Sequence, residues 1–86
     1  MAVGPKGFNE PRYRALIANL VEARRAAGLS QEALAEKLQH HQQFVSRYEI
    51  GERRLDVVEF ADIATVLGLD AASLVASLAS KSGAKS

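Results

Sequence analysis

The 86-residue chain has no cysteine and no tryptophan, one methionine, two prolines, and only two tyrosines and three phenylalanines. Without cysteine there is no disulfide framework and no thiolate metal site. No apolar run approaches the roughly 18 residues that a membrane-spanning helix needs. The amino-terminal MAVGPKGFNEP lacks the apolar stretch of a signal peptide, so a cytoplasmic protein is expected. Charge of either sign is nearly balanced: the net value is +1, which by itself points to no charged partner. What is present is ordinary for a soluble globule, with 48% hydrophobic and 24% charged residues. A chain this short supports one core and buries only about 60–65% of its unfolded surface, so every element must share that core.

The charge is unevenly distributed. Residues 1–25 carry five basic and two acidic side chains, and residues 26–54 balance four against four. Residues 55–78 hold Asp56, Glu59, Asp62 and Asp70 with no Lys or Arg, and Lys81 and Lys85 follow. A polarised chain of this kind is expected to present one face to a charged partner.

No alternating run argues for a strand, and the apolar spacing is helical. Asn9 is expected to cap a first helix over about 10–27, with Pro11 in its first turn, where a missing N–H is no loss. Its stripe is Tyr13, Leu16, Ile17, Leu20, Val21 and Arg24, and Gly28 suits the left-handed position after its end. Ser30 caps a second helix over 31–38, with Leu29 and Leu34 spaced as a hydrophobic staple. A third follows over 42–50, closed by Gly51. Asp56 caps a fourth over 57–67, stopped at Gly68, and Asp70 a fifth over 71–78. The expected organisation is all-α: a flexible arm (1–8), one compact domain (9–79) of about five helices, and a frayed tail (80–86).

On a helical wheel at about 100° per residue, Val45, Tyr48 and Glu49 define the inward side of the third helix, with Phe44 flanking it. Gln43, Ser46, Arg47 and Ile50 face away from the core, and Gln42 projects from the first turn. Two amides, a hydroxyl and a guanidinium are the groups that read base edges, Gln with adenine and Arg with guanine. Any short surface helix also shows polar residues outward. The preceding element shifts the balance, because a short capped helix, three linking residues and a polar-faced helix form a helix-turn-helix. Arg24 interrupts an apolar stripe, so its charge needs a partner. Glu49 is the only acid on the inward side of the third helix.

The stretch LSQEALAEKLQHHQQFVSRYEIGERR resembles the helix-turn-helix of the Xre/Cro family, a lambda-repressor-like DNA-binding fold, and the likeness runs from about Leu16 to Leu78. Its markers are Gly28-Leu29-Ser30-Gln31, Leu34-Ala35, Gln42, Val45, Ser46-Arg47, Glu49, Gly51 and Leu67-Gly68. The resemblance implies an Arg24–Glu49 ion pair and a phosphate contact from Gln31, whose place at a helix start also favours an anion. Base reading falls to Gln42, Gln43, Ser46 and Arg47. Arg53 and Arg54 become phosphate contacts, helped by Lys6, Arg12 or Arg14 from the amino-terminal arm.

Several positions depart from the family. Gln39 stands where Gly is usual, implying about 1–2 kcal/mol of left-handed strain or a locally different turn. His40 replaces a residue that is often apolar, and His41 a Ser or Thr cap. One ring is expected on the core and one towards DNA, with metal binding disfavoured. Phe44 either packs between helices or touches a thymine methyl, and Ile50 replaces a frequent Asn.

Nothing orders Ser, His and Asp as a catalytic triad, so neither an enzyme nor a cofactor is expected. A single module with about four base contacts binds weakly, which calls for a homodimer on a palindromic operator. The fourth helix, with eight apolar residues in eleven, is expected to be buried on more than one side. Leu74, Val75 and Leu78 of the fifth helix, with part of the fourth, are expected at the dimer interface. The resulting expectation is a nucleoid-associated transcriptional regulator, a repressor or autoregulatory controller, similar in size to phage Cro and restriction-modification controllers. No membrane and no small-molecule ligand is expected. The alternative is a helix-turn-helix protein-interaction module, such as an antitoxin or antiactivator.

Overall fold

The computed structural model describes residues 10–82, with side chains up to Ala79. Five helices follow one another: α1 (Pro11–Ala26), α2 (Gln31–Leu38), α3 (Gln42–Ile50), α4 (Val57–Val66) and α5 (Ala71–Ser82). There is no strand among the described residues.

The caps explain most boundaries. The expected cap Asn9 lies outside the described residues, and α1 is capped by Glu10, whose carboxylate accepts from the Arg12 and Tyr13 N–H groups. Pro11 occupies the first turn. The Ser30 hydroxyl accepts from the Ala33 N–H at 3.0 Å to start α2. His41 stands at the cap of α3 but makes no side-chain capping bond, so that helix starts without the aid the sequence allowed it. Asp56 and Glu59 form a reciprocal capping box on α4. Asp70 accepts from the Ala72 and Ser73 N–H groups to start α5. That last helix runs four residues past its expected end at Leu78, so the tail expected to fray from residue 80 is helical as far as Ser82.

The turn between α2 and α3 settles the question at Gln39. Its backbone is left-handed (φ 61°, ψ 41°), so the chain keeps the turn and a residue with a Cβ occupies it. The His40 N–H donates to the Ala35 carbonyl at 2.9 Å, closing the end of α2.

Leu20, Leu34, Val45, Tyr48 and Ile63 are fully buried at the centre, one or two from each of α1 to α4. Two features of burial bear on the expected interface. Leu74 and Leu78 are half-buried and pack against this chain's own core, because their three- and four-residue spacing aligns them with Ala71 on one side of α5. Val75 remains 46% exposed. The excess apolar surface of α4 is not covered by the described residues: Val57 and Val58 at its start are 73% and 64% exposed.

Candidate nucleic-acid interface

Helix α3 divides as the wheel indicates. Phe44, Val45 and Tyr48 are buried, while Gln42, Gln43, Arg47 and Ile50 are exposed and Ser46 is half-buried. Phe44 packs between helices, with its ring edge-on to Tyr48, so the thymine-contact alternative is not its position here. His40 is exposed and stacks on Phe44 with 4.0 Å between ring centroids. His41 is exposed as well, so neither imidazole is enclosed in the core.

Behind the outward face lies a continuous polar chain. The Arg24 Nε donates to Glu49 Oε2 at 2.7 Å and its Nη2 to Glu49 Oε1 at 3.0 Å, while Nη1 donates to the Leu29 carbonyl at 2.8 Å. Both side chains are shut from water, at 9% and 6% exposure, so the fork-to-carboxylate geometry works where screening is weak. Burial pushes the neighbouring Tyr48 phenol well above its ordinary pKa, and its hydroxyl has no hydrogen-bond partner among the described residues.

Glu49 Oε1 also accepts from Gln31 Nε2 at 2.8 Å, and Gln31 Oε1 in turn accepts from Gln42 Nε2 at 3.0 Å. A carboxylate can only accept, so the direction of every bond is fixed from Glu49 outwards. Gln31 must turn its NH₂ to Glu49 and its oxygen to Gln42. Gln42 must use one N–H inwards, which leaves a carbonyl oxygen and one N–H free. That remaining pair, one acceptor and one donor, matches the N6–H₂ and N7 of adenine in the major groove. The amide of Gln31, expected on a phosphate, is thus engaged at both ends and orients the Gln42 amide, keeping one N–H for outside contact.

The two arginines expected on phosphate differ from one another. Arg53 donates from both Nη atoms to the two carboxylate oxygens of Glu59, at 2.9 and 2.8 Å, and its guanidinium lies 4.9 Å from the Phe44 ring centroid. These bonds hold the Glu59 carboxyl below its ordinary pKa. Arg54 is exposed and lies 5.0 Å from the Tyr13 ring centroid. Arg12 and Arg14 belong to α1 rather than to an arm, and Arg12 is paired with Glu10 at 3.0 Å. Lys6 lies outside the described residues. The sequence reading missed the Arg53–Glu59 pair, although Asp56 and Glu59 have capping-box spacing that would have fixed Glu59 beside the loop.

Among the described residues no His, Asp and Glu side chains gather as a metal site, and no helix is long and apolar enough to cross a membrane.

A short capped helix, a three-residue turn and a polar-faced helix locked to the core by a buried ion pair define a helix-turn-helix protein. The family model for the helix-turn-helix matches residues 20–74. In structure the chain is similar to an XRE-family like protein from Pseudomonas syringae pv. tomato str. DC3000, with 44% identity and a TM-score of 0.80. That likeness covers 91% of this chain and 95% of that one. No curated protein matches. The chain belongs to the Xre-type helix-turn-helix family of DNA-binding regulators.

Proposed function

We propose that this chain is a sequence-specific double-stranded DNA-binding transcriptional regulator. It works in the cytoplasm on the nucleoid, as a homodimer on a palindromic operator, and serves as a repressor or autoregulatory controller. The observation that carries the reading is the directed chain Arg24–Glu49–Gln31–Gln42, which holds an amide acceptor and donor at the start of the outward face of α3. Gln43 and Arg47 stand exposed beside it, and Ser46 is half-buried there. In a symmetric dimer the two α3 helices enter successive major grooves about one helical turn apart. Leu74, Val75 and Leu78 of α5 with the start of α4 make the dimer face: Val57, Val58 and Val75 are exposed, and Leu74 and Leu78 are half-buried beside them.

Selection of bound duplexes from random DNA tests this reading. The expected result is a palindromic sequence with adenine or guanine at fixed positions in each half. Gln43→Ala is expected to relax preference at one position by about 1–3 kcal/mol without changing the others. No enrichment over the input pool would defeat the reading.

A further inference from the structure

We infer that Arg54, held against the ring of Tyr13, is the phosphate grip of the loop between α3 and α4, and that its neighbour Arg53 is a charge-neutral latch. The inference rests on the DNA-binding reading above. Adjacent arginines in a loop after a reading helix look equivalent in the sequence, and their surroundings separate them. Arg53 faces both oxygens of Glu59, at 2.9 and 2.8 Å, so a phosphate approaching it meets a paired charge. Glu59 cannot swing out with it, because Glu59 Oε1 also accepts from the Asp56 N–H at 3.0 Å in the capping box of α4. The face of Phe44 holds the same guanidinium from the side of the reading helix. Arg53 therefore ties the loop to α3 and α4 and adds no net charge there.

Arg54 has no carboxylate within ion-pair distance among the described residues. Its guanidinium lies over Tyr13, and the Tyr13 hydroxyl accepts from the Leu55 N–H at 3.1 Å. The ring is thereby bonded to the residue that follows Arg54, so loop and platform hold a fixed relation. A stacked guanidinium keeps its N–H edge free for a phosphate and gives up less side-chain freedom on binding. Tyr13 is a positioning residue that acts through Arg54.

The test is the salt dependence of binding, measured on a duplex selected from random DNA by the unaltered protein and on an unrelated duplex. Each neutralised phosphate contributes about 0.9 to the slope of log K against log salt. Arg54→Ala is expected to lower the slope by about that amount on both duplexes. Because Arg53→Ala alone would strand the Glu59 charge, the matching variant is Arg53→Ala with Glu59→Ala, which is expected to leave the slope unchanged. Glu59→Gln alone frees the Arg53 charge and is expected to raise both slope and affinity. Tyr13→Leu is expected to weaken binding several-fold and to have no further effect in the Arg54→Ala background, while Tyr13→Phe, which keeps the ring and loses the bond to Leu55, is expected to lie between Tyr13→Leu and the unaltered protein. A slope lost in the double variant and kept in Arg54→Ala would reverse the assignment. Additive losses from Tyr13→Leu and Arg54→Ala would remove Tyr13 from it. Failure of the unaltered protein to bind either duplex would instead bring down the DNA reading on which the proposal stands.

Discussion

At the scale of single residues, the buried Arg24–Glu49 pair is both support and reference point. Removing one partner leaves an uncompensated charge in a site closed to water, so Glu49→Ala is expected to cost about 3–5 kcal/mol in unfolding measurements. The same substitution frees Gln31 to rotate, so base preference at the position proposed for Gln42 is expected to relax in whatever folded protein remains. Tyr48 makes the opposite case. Its hydroxyl is buried without a partner among the described residues and contributes desolvation cost with no bond in return, so Tyr48→Phe is expected to raise stability by about 1 kcal/mol. A lowered thermal midpoint in that variant would show that the hydroxyl does find a partner in solution. The ion pair was legible in the sequence because a charge within an apolar stripe needs a partner and only one inward acid was available. The Gln31–Gln42 bond was not, because it joins two exposed-looking amides whose meeting depends on the angle between α2 and α3.

At the scale of elements, helix positions were legible because caps and apolar spacing act locally, and loops were less so because their bonds reach across the chain. Ser30, Asp56 and Asp70 mark their helix starts by side chain alone, whereas Glu10 displaced Asn9 as the cap of α1. The turn after α2 offers a direct measurement. Gln39 is left-handed where glycine bears no Cβ strain, so Gln39→Gly is expected to stabilise by about 1 kcal/mol after the entropy of glycine is counted. For a domain of this size that corresponds to about 4–8 °C in midpoint. The loop after α3 is tied to α4 by Arg53 and Glu59, and this tie has a pH signature. The Glu59 carboxyl is held below its ordinary pKa, so the folded state binds its proton less readily than the unfolded one. Its contribution is therefore complete above the ordinary carboxylate range and is lost as pH falls through that range and below it. Thermal midpoints recorded against pH are expected to fall on acidification and to fall less steeply in Glu59→Gln. Equal slopes in the two proteins would mean that the tie contributes nothing to folding.

At the scale of the whole molecule, the sequence conveyed that α4 carries more apolar surface than one stripe needs and that part of it serves a second chain with α5, but not which side chains stand in solvent. A one-dimensional pattern cannot distinguish a residue covered by the chain's own helices from one awaiting a second chain. Leu74 and Leu78 are half-buried against the core, while Val57, Val58 and Val75 remain in solvent. This difference gives the dimer a test that the leucines could not provide, since truncating Leu74 or Leu78 would damage the core and confuse folding with assembly. Exposed side chains can be replaced at little cost to the fold, usually within about 0.5 kcal/mol. Val58→Asp with Val75→Asp is therefore expected to leave the unfolding midpoint of the monomer nearly unchanged while converting the dimer to monomer in sedimentation. If a homodimer grips both halves of an operator, the same variant is expected to lose affinity for the full palindrome and to keep that for a single half-site. The net charge of the pair becomes more negative by two per chain, so a half-site control at the same salt separates lost dimerisation from added repulsion. Unaltered sedimentation would place the assembly face elsewhere on the molecule and leave the valines as ordinary surface.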